Sequence, residues 1–305
     1  MRIWSGALKF VGGLAMGVSG LMLQAETSLH AVVMPLFGDV SADFGSYLQG
    51  LVDLGFFVVL VDNNPEPLVH RPCSARHCEL VFNGNRGGIA GGLNQGILRA
   101  VAAECTWITL LDQDSRIPVE QISLLQHAWD ADPGRLLVVG PCIWDAQRQE
   151  RHGRWRASVD GFDSTRLLIS SGTTFRSSDW PLLGSLHEGL FIDFVDHAWC
   201  FRAQARGFQL LQHPKVRLSQ QFGVQHPNRF CRRLGLQLYG PERHFYGLRN
   251  LRWLCVQSYI PLDLKTKELL KMLVKPWLWL LFEPRRLENL RAIVAGLFAS
   301  LPADY

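Results

Sequence analysis

The chain has 305 residues, of which 48% are apolar, so it can bury the core of one large domain or two small ones and is not a disordered protein. Its net charge of +4 is mild and its basic residues are spread out until the last quarter, which predicts no nucleic-acid partner. Seven cysteines at irregular spacing favour a reducing compartment. Cys73, His77 and Cys78 lack the second Cys/His pair that a zinc site needs.

Residues 1–29 form an N-terminal apolar segment, with an uncharged, Gly-rich run over 10–23 behind Arg2 and Lys9. This run is shaped like a signal-peptide core and is shorter than the roughly 20 residues that span a bilayer. A misplaced start codon, a weak membrane anchor and a signal peptide all fit, in that order of preference. No later inference depends on this segment.

From residue 30 onward, short β-type runs alternate with helical stretches, which predicts an α/β domain with a largely parallel sheet. Ligands of such sheets bind at the carboxyl ends of the strands, so the polar residues that follow each strand are candidate site residues. The predicted strands cover residues 31–34, 56–61, 79–82, 107–111 and 136–139.

The first two predicted strands end in polar turns that open at the same edge of the sheet. Asp62 could accept a hydrogen bond from N3–H of a uracil or thymine ring while Phe37 stacks on its face. Pro35 and Asn64 complete this candidate base pocket. An ordinary Asp-Asn turn is the alternative.

The third predicted strand leads into the glycine-rich segment NGNRGGIAGG, residues 83–92, and then into a helix. Glycines let a backbone approach a ligand closely at the positive end of a helix, and Arg86 adds a cation, so we predict a pyrophosphate nearby. The segment matches neither the dinucleotide fingerprint nor the P-loop, and a structural glycine turn is the alternative. The candidate binding residues here are Asn85, Arg86, Gly87, Gly88 and Asn94.

The fourth predicted strand ends in Asp112-Gln113-Asp114-Ser115, the strongest local signal in the chain. Carboxylates at alternate positions point the same way, and little except a cation compensates two close negative charges. Hard oxygen ligands predict Mg²⁺ or Mn²⁺, with waters and a diphosphate completing the coordination. A solvated pair of loop carboxylates is the alternative.

Residues 191–202 place carboxylates among aromatic side chains at a strand-to-helix turn. Asp196 is the candidate general base, because it could take the proton from an acceptor hydroxyl and an apolar rim would raise its basicity. A helix N-cap is its alternative role, and the two roles can coexist. The helix that follows is predicted to have Trp199, Cys200 and Ala203 as its inner stripe.

The last quarter of the chain is rich in Arg, Leu and Trp, and its apolar runs at 277–282 and 292–301 are too short to span a membrane. An amphipathic helical tail lying on an anionic membrane surface is one interpretation. A helical cap on the sheet is the other.

Together and in this order, the segments resemble family 2 glycosyltransferases of GT-A fold, especially the rhamnosyltransferases of O-antigen and capsule synthesis. The resemblance covers roughly residues 30–255. It rests on VVMPLFGD, VDNN, NRGGIAGGLNQGI, LLDQDS, SSGTTFR, VDHAWCFRAQARGF and the later GPERHFYGLRN at 240–250.

The resemblance implies a Rossmann-like, mixed and mostly parallel sheet flanked by helices over residues 30–227, with a helical C-terminal extension over 228–305. It implies an inverting transfer in which Asp62 binds the base, Asp112 and Asp114 bind the nucleotide-sugar and metal, and Asp196 acts as base. The implied donor is dTDP-L-rhamnose, with UDP-sugars still open. The implied acceptor is a lipid-linked or growing surface saccharide, at the cytoplasmic face of the inner membrane.

Three features depart from the family pattern. Many relatives carry an acidic pair at the catalytic turn, whereas Val195 precedes Asp196 here and Ala198 stands where another acid often lies. Gln220 stands where a metal-binding His is common, and its amide oxygen is a weaker ligand. His226 is a candidate substitute.

Two other functions compete with the enzyme. A catalytically silent GT-A domain that binds a nucleotide-sugar or scaffolds a polysaccharide complex is consistent with the altered residues. A nucleotidyltransferase should have a Gly-rich first loop ending in Arg and Lys, and the sequence around Phe37 has none.

Overall fold

A computed structural model describes residues 29–69, 72, 77–145, 150–151, 156–159, 161–220, 224–225, 228–229, 232 and 237–303. The N-terminal segment, Cys73 and His226 therefore lie outside the described residues, apart from Leu29. The backbone of Gln220 is described as part of a strand, but its side chain is not.

One ten-stranded sheet forms the framework of the described part of the chain. Its order is β3-β2-β1-β4-β9-β5-β10-β8-β7, with β6 paired to β5. The first four strands run parallel, and β9 joins β4 to β5 as an antiparallel strand. The bounds are β1 His30–Leu36, β2 Phe57–Asp62, β3 Cys78–Phe82, β4 Trp107–Leu110, β5 Leu137–Asp145, β6 Glu150–Arg151, β7 Arg156–Val159, β8 Phe162–Ser164, β9 Thr174–Arg176 and β10 Gln209–Gln220.

Each of the five predicted strands is present, and the predicted α/β fold with a mostly parallel sheet is confirmed. Every residue of β1 and β2 is buried, as expected for central strands covered on both faces. A further small pair, β11 Val224–Gln225 and β12 Gln237–Leu238, stands apart from the main sheet.

Helices cover both faces of the sheet, because alternate residues of each strand point to opposite sides. Val33 packs with residues of α2 and α4, whereas Met34 packs with α1 and a 3₁₀ segment at Val119–Trp129. The buried inner stripe predicted for the helix after Asp196 is confirmed in α4. The bounds are α1 Phe44–Asp53, α2 Gly88–Ala102, α3 Trp180–Leu183, α4 Val195–Ala205, α5 Pro241–Val256, α6 Leu262–Phe282 and α7 Arg286–Phe298.

The C-terminal helices are joined to the sheet and to one another. Trp253 and Leu254 of α5 lie in the same buried cluster as α2 and α4, so α5 caps one face of the sheet. The imidazole Nε2 of His244 lies 2.7 Å from Glu283 Oε2 in a buried pair, and the His244 ring stacks on Trp279 of α6. Among the described residues, no helix combines the length and apolar character required to cross a membrane.

Candidate active site

The turns after β1 and β2 are connected through the side chain of Asn64. Its Oδ1 accepts a hydrogen bond from the N–H of Gly38 at 2.8 Å, while its Nδ2 donates to Asp62 at 2.8 Å. The buried Asp62 carboxylate also accepts from the N–H groups of Asn64 and Leu68, at 3.1 and 2.7 Å. Asp62 therefore organises its own turn, and the hydrogen bonds of the described residues leave one lone pair of Oδ2 for another donor.

Phe37 extends from the first turn with 57% of its side chain exposed, whereas Pro35 is buried beneath α2. Gln113, between the two aspartates, holds the Phe37 backbone from both sides. It accepts from the Phe37 N–H at 2.7 Å and donates to the Phe37 carbonyl at 2.9 Å. Sequence reasoning missed this residue, although a polar side chain between two carboxylates at a strand end was its available signal.

The glycines at the start of α2 are required by packing. A side chain at Gly87 would overlap Glu188, and one at Gly88 would overlap Phe191. Both glycines also have positive φ values, of 65° and 58°, which favour glycine. A structural glycine turn thus explains why both positions are glycine. That a ligand lies beside their backbone stays a prediction.

The other candidate residues of this segment differ in their contacts. Arg86 is exposed, and its Nε donates to the Asn83 carbonyl at 2.9 Å. Asn85 has a positive φ of 55° and accepts from Asn63 at 3.3 Å. The buried Asn94 uses both amide hydrogens, on Leu186 O and Glu188 Oε1, and its Oδ1 accepts from the Leu186 N–H. These contacts account for Asn94 as a structural residue, and the nucleotide contact expected from the sequence stays a prediction.

The carboxylates after β4 lie in an electrostatically unfavourable setting. The pKa of Asp112 is raised to about 7. Burial is the largest cause, and the negative charges of Asp196 and Asp114 contribute to the same increase. Asp114 is exposed. Asp112 is therefore close enough to Asp196 and to Asp114 for their negative charges to disfavour its ionised form.

Asp196 lies in the first turn of α4. Burial raises the pKa of its carboxyl group to about 6, although hydrogen bonds from the backbone and hydroxyl of Ser170 act in the opposite direction. A carboxyl with this pKa is mostly ionised at neutral pH and is a far stronger base than an ordinary aspartate.

The segment 168–173 connects Asp196 with Asp112. Ser170 binds the Asp196 carboxylate, and the hydroxyl oxygen of the next residue, Ser171, accepts from the Asp112 N–H at 3.1 Å. Two backbone bonds between Leu110 and residues 172–173, of 2.6 and 2.8 Å, hold this segment against the end of β4. The Asp196 carboxylate and the backbone of Asp112 are thus both bonded to one short segment.

Val195 and Ala198, the departures from the family pattern, are buried in the core beneath α4 with 4% and 3% of their surface exposed. An ionised acid at either position would lose its hydration, so the apolar residues suit the packing seen here.

The donor set suits a hard divalent cation. Asp112 and Asp114 offer carboxylate oxygens whose mutual repulsion a cation would relieve. Within the described ranges, no cluster of three or more His, Cys, Asp or Glu side chains forms a metal site by itself. Two carboxylates fit Mg²⁺ or Mn²⁺ where the remaining ligands come from waters and a bound diphosphate.

The sequence profile of Glycosyl transferase family 2 matches residues 32–184, which is half of the chain and includes the turns after β1, β2 and β4. The chain belongs to glycosyl transferase family 2. It is therefore a glycosyltransferase, with the GT-A fold expected from the resemblance.

Among curated family relatives, the chain is 23% identical to the dTDP-rhamnosyl transferase RfbF of Shigella flexneri over 279 residues, 87% of this chain and 93% of that protein. Among solved structures, it is similar to GalNAc-T7 with UDP, GalNAc and Mn²⁺, with a TM-score of 0.51 and 14% identity over 79% of this chain. S. aureus TarS gives a TM-score of 0.50 and 14% identity over 88% of this chain. The match spans about half of each of these two solved chains, at 54% and 48%.

Proposed function

We propose that this glycosyltransferase moves L-rhamnose from dTDP-L-rhamnose, with inversion, to a hydroxyl of a lipid-linked or growing bacterial surface polysaccharide. The observation that carries the proposal is the placement of Asp196, with its raised pKa, within electrostatic range of Asp112 at the carboxyl edge of the sheet. The likeness to the Shigella flexneri dTDP-rhamnosyl transferase supports the choice of donor.

In this mechanism the ionised Asp196 accepts the proton of the acceptor hydroxyl as its oxygen attacks the anomeric carbon. Asp112 and Asp114 would hold Mg²⁺ or Mn²⁺, and the bound cation would supply charge neutralisation for the departing diphosphate. The attack comes from the face opposite the nucleotide, through an oxocarbenium-like state. Because Ser170 bonds to the Asp196 carboxylate and Ser171 bonds to the Asp112 backbone N–H, the base and the strand end that carries Asp112 are tied to one segment.

The nucleotide is proposed to lie across the turns after β1 and β2. The exposed Phe37 ring would stack on thymine, and the free lone pair of Asp62 would accept its N3–H. The exposed Arg86 would face the diphosphate. Uracil offers the same N3–H, so this pocket favours dTDP and UDP over GDP.

A thermal-shift screen tests the donor. With Mn²⁺ present, dTDP-L-rhamnose at 100 times its Kd should stabilise the fold by about 2.7 kcal/mol, whereas GDP-mannose should have no effect. dTDP alone and UDP-glucose separate recognition of the base from recognition of the sugar. Equal shifts with GDP-mannose would contradict the base pocket, and no shift with any nucleotide would contradict donor binding altogether.

We further propose peripheral contact with the cytoplasmic face of an anionic inner membrane, through the surface formed by α6 and α7. Both helices carry apolar side chains on their solvent face at helical spacing, including Trp277, which is 67% exposed. Residues 262–298 contain seven Lys or Arg against four Asp or Glu, a charge that complements anionic lipid. The exposed apolar residues are Leu262, Leu269, Leu270, Leu273, Val274, Trp277, Leu281, Phe282, Leu287, Leu290, Val294, Leu297 and Phe298.

Vesicle flotation tests this surface. We expect binding to phosphatidylglycerol vesicles but not to phosphatidylcholine vesicles, and a loss of about tenfold or more in Trp277→Glu, because a large buried apolar side chain contributes about 2 kcal/mol. Leu54→Glu, at the exposed end of α1, is the matched control and should bind normally. Equal binding by both variants would contradict the proposal, and a concentration-dependent dimer lost only in Trp277→Glu would assign the surface to a second copy.

A further inference from the structure

The turn that precedes α4 has an unusual backbone. Phe191, Asp193 and Phe194 have φ values of 66°, 60° and 62°, in the left-handed region that bulky side chains rarely adopt. Phe194 is the residue at which α4 begins to form, and Asp196 follows two positions later. Such a turn persists only where its surroundings hold it.

Asn250 of α5 binds the carbonyl groups of this turn. Its Nδ2 lies 2.8 Å from Leu190 O, 2.7 Å from Ile192 O and 3.0 Å from Asp193 O. The side chain is fully buried, with no exposed surface. Because an amide has only two N–H groups, the three carbonyls must share them, and they must stay close together around one nitrogen.

Arg249 in turn holds Asn250. Its Nε and Nη2 donate to the Asn250 oxygen at 3.0 and 2.9 Å, which turns the amide nitrogen toward the carbonyls. Nη2 also contacts Gly189 O at 2.5 Å and Leu190 O at 3.2 Å. The orientation of the Asn250 amide is therefore determined by contacts at both of its ends.

The other contacts of the turn involve side chains, the N–H groups of Phe191 and Ile192, which donate to the carbonyls of Glu188 and Leu190, or the Phe191 carbonyl. Arg243 pairs with the Asp193 carboxylate at 2.6 Å, and the Phe191 ring stacks on Tyr246 with centroids 4.9 Å apart. The Phe191 carbonyl accepts from the Ile89 N–H at 3.0 Å. Among the described hydrogen bonds, only those of Asn250 reach the carbonyls of Ile192 and Asp193, directly before α4.

We propose that Asn250 is a positioning residue for transfer: it keeps the turn at 190–194 in its left-handed form and thereby positions the Asp196 carboxylate in the first turn of α4. This rests on the proposed role of Asp196. It also gives α5, which follows the sheet in the chain, a direct part in building the active site.

Asn250→Ala tests the proposal against a matched control, Asn289→Ala. Asn289 is also a buried Asn of the C-terminal helices, and its Nδ2 donates to Glu283 and to the Pro284 carbonyl, outside the catalytic turn. We expect Asn250→Ala to lower kcat at least tenfold while the donor KM changes less than threefold. Asn289→Ala should keep both constants within threefold of wild type, even with a similar loss of Tm.

Amide hydrogen exchange on the same two variants provides a readout that needs no turnover. Exchange at residues 191–197 should rise at least tenfold in Asn250→Ala and stay unchanged in Asn289→Ala. Unchanged exchange there, or kcat losses that match in the two variants, would overturn the positioning role. If wild type transfers no sugar while exchange rises as expected, the proposed function fails and the holding of the turn by Asn250 stands.

Discussion

Replacing Asp196 by Asn is expected to lower the rate of sugar transfer by about 10²- to 10⁴-fold, the usual contribution of a general base. The Asn side chain keeps the size of Asp and can still accept the hydrogen bonds of Ser170, so the local fold should persist. It cannot take a proton from the acceptor. The measurement is transfer from labelled dTDP-L-rhamnose at saturating donor, together with the thermal shift that the donor causes.

The pH dependence of the wild-type enzyme provides a second check on Asp196. Its pKa is raised to about 6, and only the ionised form acts as a base, so at saturating Mn²⁺, which would keep Asp112 ionised, the transfer rate should fall about tenfold per pH unit below pH 6. Asp130→Asn, at the end of the 3₁₀ segment on the opposite edge of the sheet, is the control and should keep the wild-type rate. Equal turnover in wild type and Asp196→Asn would remove Asp196 from the mechanism.

The same two proteins also distinguish an active enzyme from a catalytically silent domain. A silent domain that only binds a nucleotide-sugar should give a donor-dependent thermal shift but no transfer, in wild type and in Asp196→Asn alike. An enzyme should give the same shift in both proteins and transfer only in wild type. This comparison is necessary because Gln220 stands where many relatives have a metal-binding His, and an amide is a weaker metal ligand than imidazole.

Replacing Asp112 by Asn is expected to lower transfer by about 10²- to 10³-fold, the range seen when a group that stabilises transition-state charge is lost. Half of the carboxylate pair for the cation is then gone, so the Mn²⁺-dependent part of the donor thermal shift should disappear. The N–H bond to Ser171 is made by the backbone and remains. Donor binding is measured by thermal shift with and without Mn²⁺, and transfer by the labelled donor.

The same substitution should stabilise the metal-free protein, which distinguishes lost function from misfolding. Because the folded state raises the pKa of Asp112 from 3.8 to about 7, Asp112 favours folding at acidic pH, and that stability is lost as the pH rises through 7. Asn carries no charge, so Tm at pH 8 should be higher in Asp112→Asn than in wild type, whereas at pH 4 the difference should vanish. A lower Tm at pH 8, or Mn²⁺-dependent donor binding that survives, would contradict the proposed site.

The family fold and most of the candidate site could be predicted from local patterns. Apolar runs of strand length that end in polar residues indicated β1, β2 and β4, and the carboxyl edge of a parallel sheet then brought their turns together. Asp62, Asp112 and Asp196 were recognisable because each follows such a run or begins a helix. Local sequence suffices here, because the period of the apolar residues and the polar residues that end each run are properties of a few neighbouring positions.

Other features depend on residues far apart in the chain. The need for glycine at position 88 is one of them, because a side chain there would overlap Phe191, 103 positions away. Asn94 binds the 186–188 segment, and Gln113 binds the loop at Phe37. A local pattern of residue types does not specify which distant segment will supply the hydrogen-bond partner of a given side chain.

The sequence by itself determined an α/β fold and indicated the candidate carboxylates that follow its strands or begin a helix, since strand and helix periods and the order of short motifs are local features. Only the tertiary structure decided how those carboxylates interact, because the raised pKa values of Asp112 and Asp196 come from burial and from charges on different segments. It also decided that Asn250, 54 residues after Asp196, holds the turn that leads to it. A left-handed turn of bulky residues persists only where the surrounding structure holds it, and here a helix distant in the chain supplies hydrogen bonds to it.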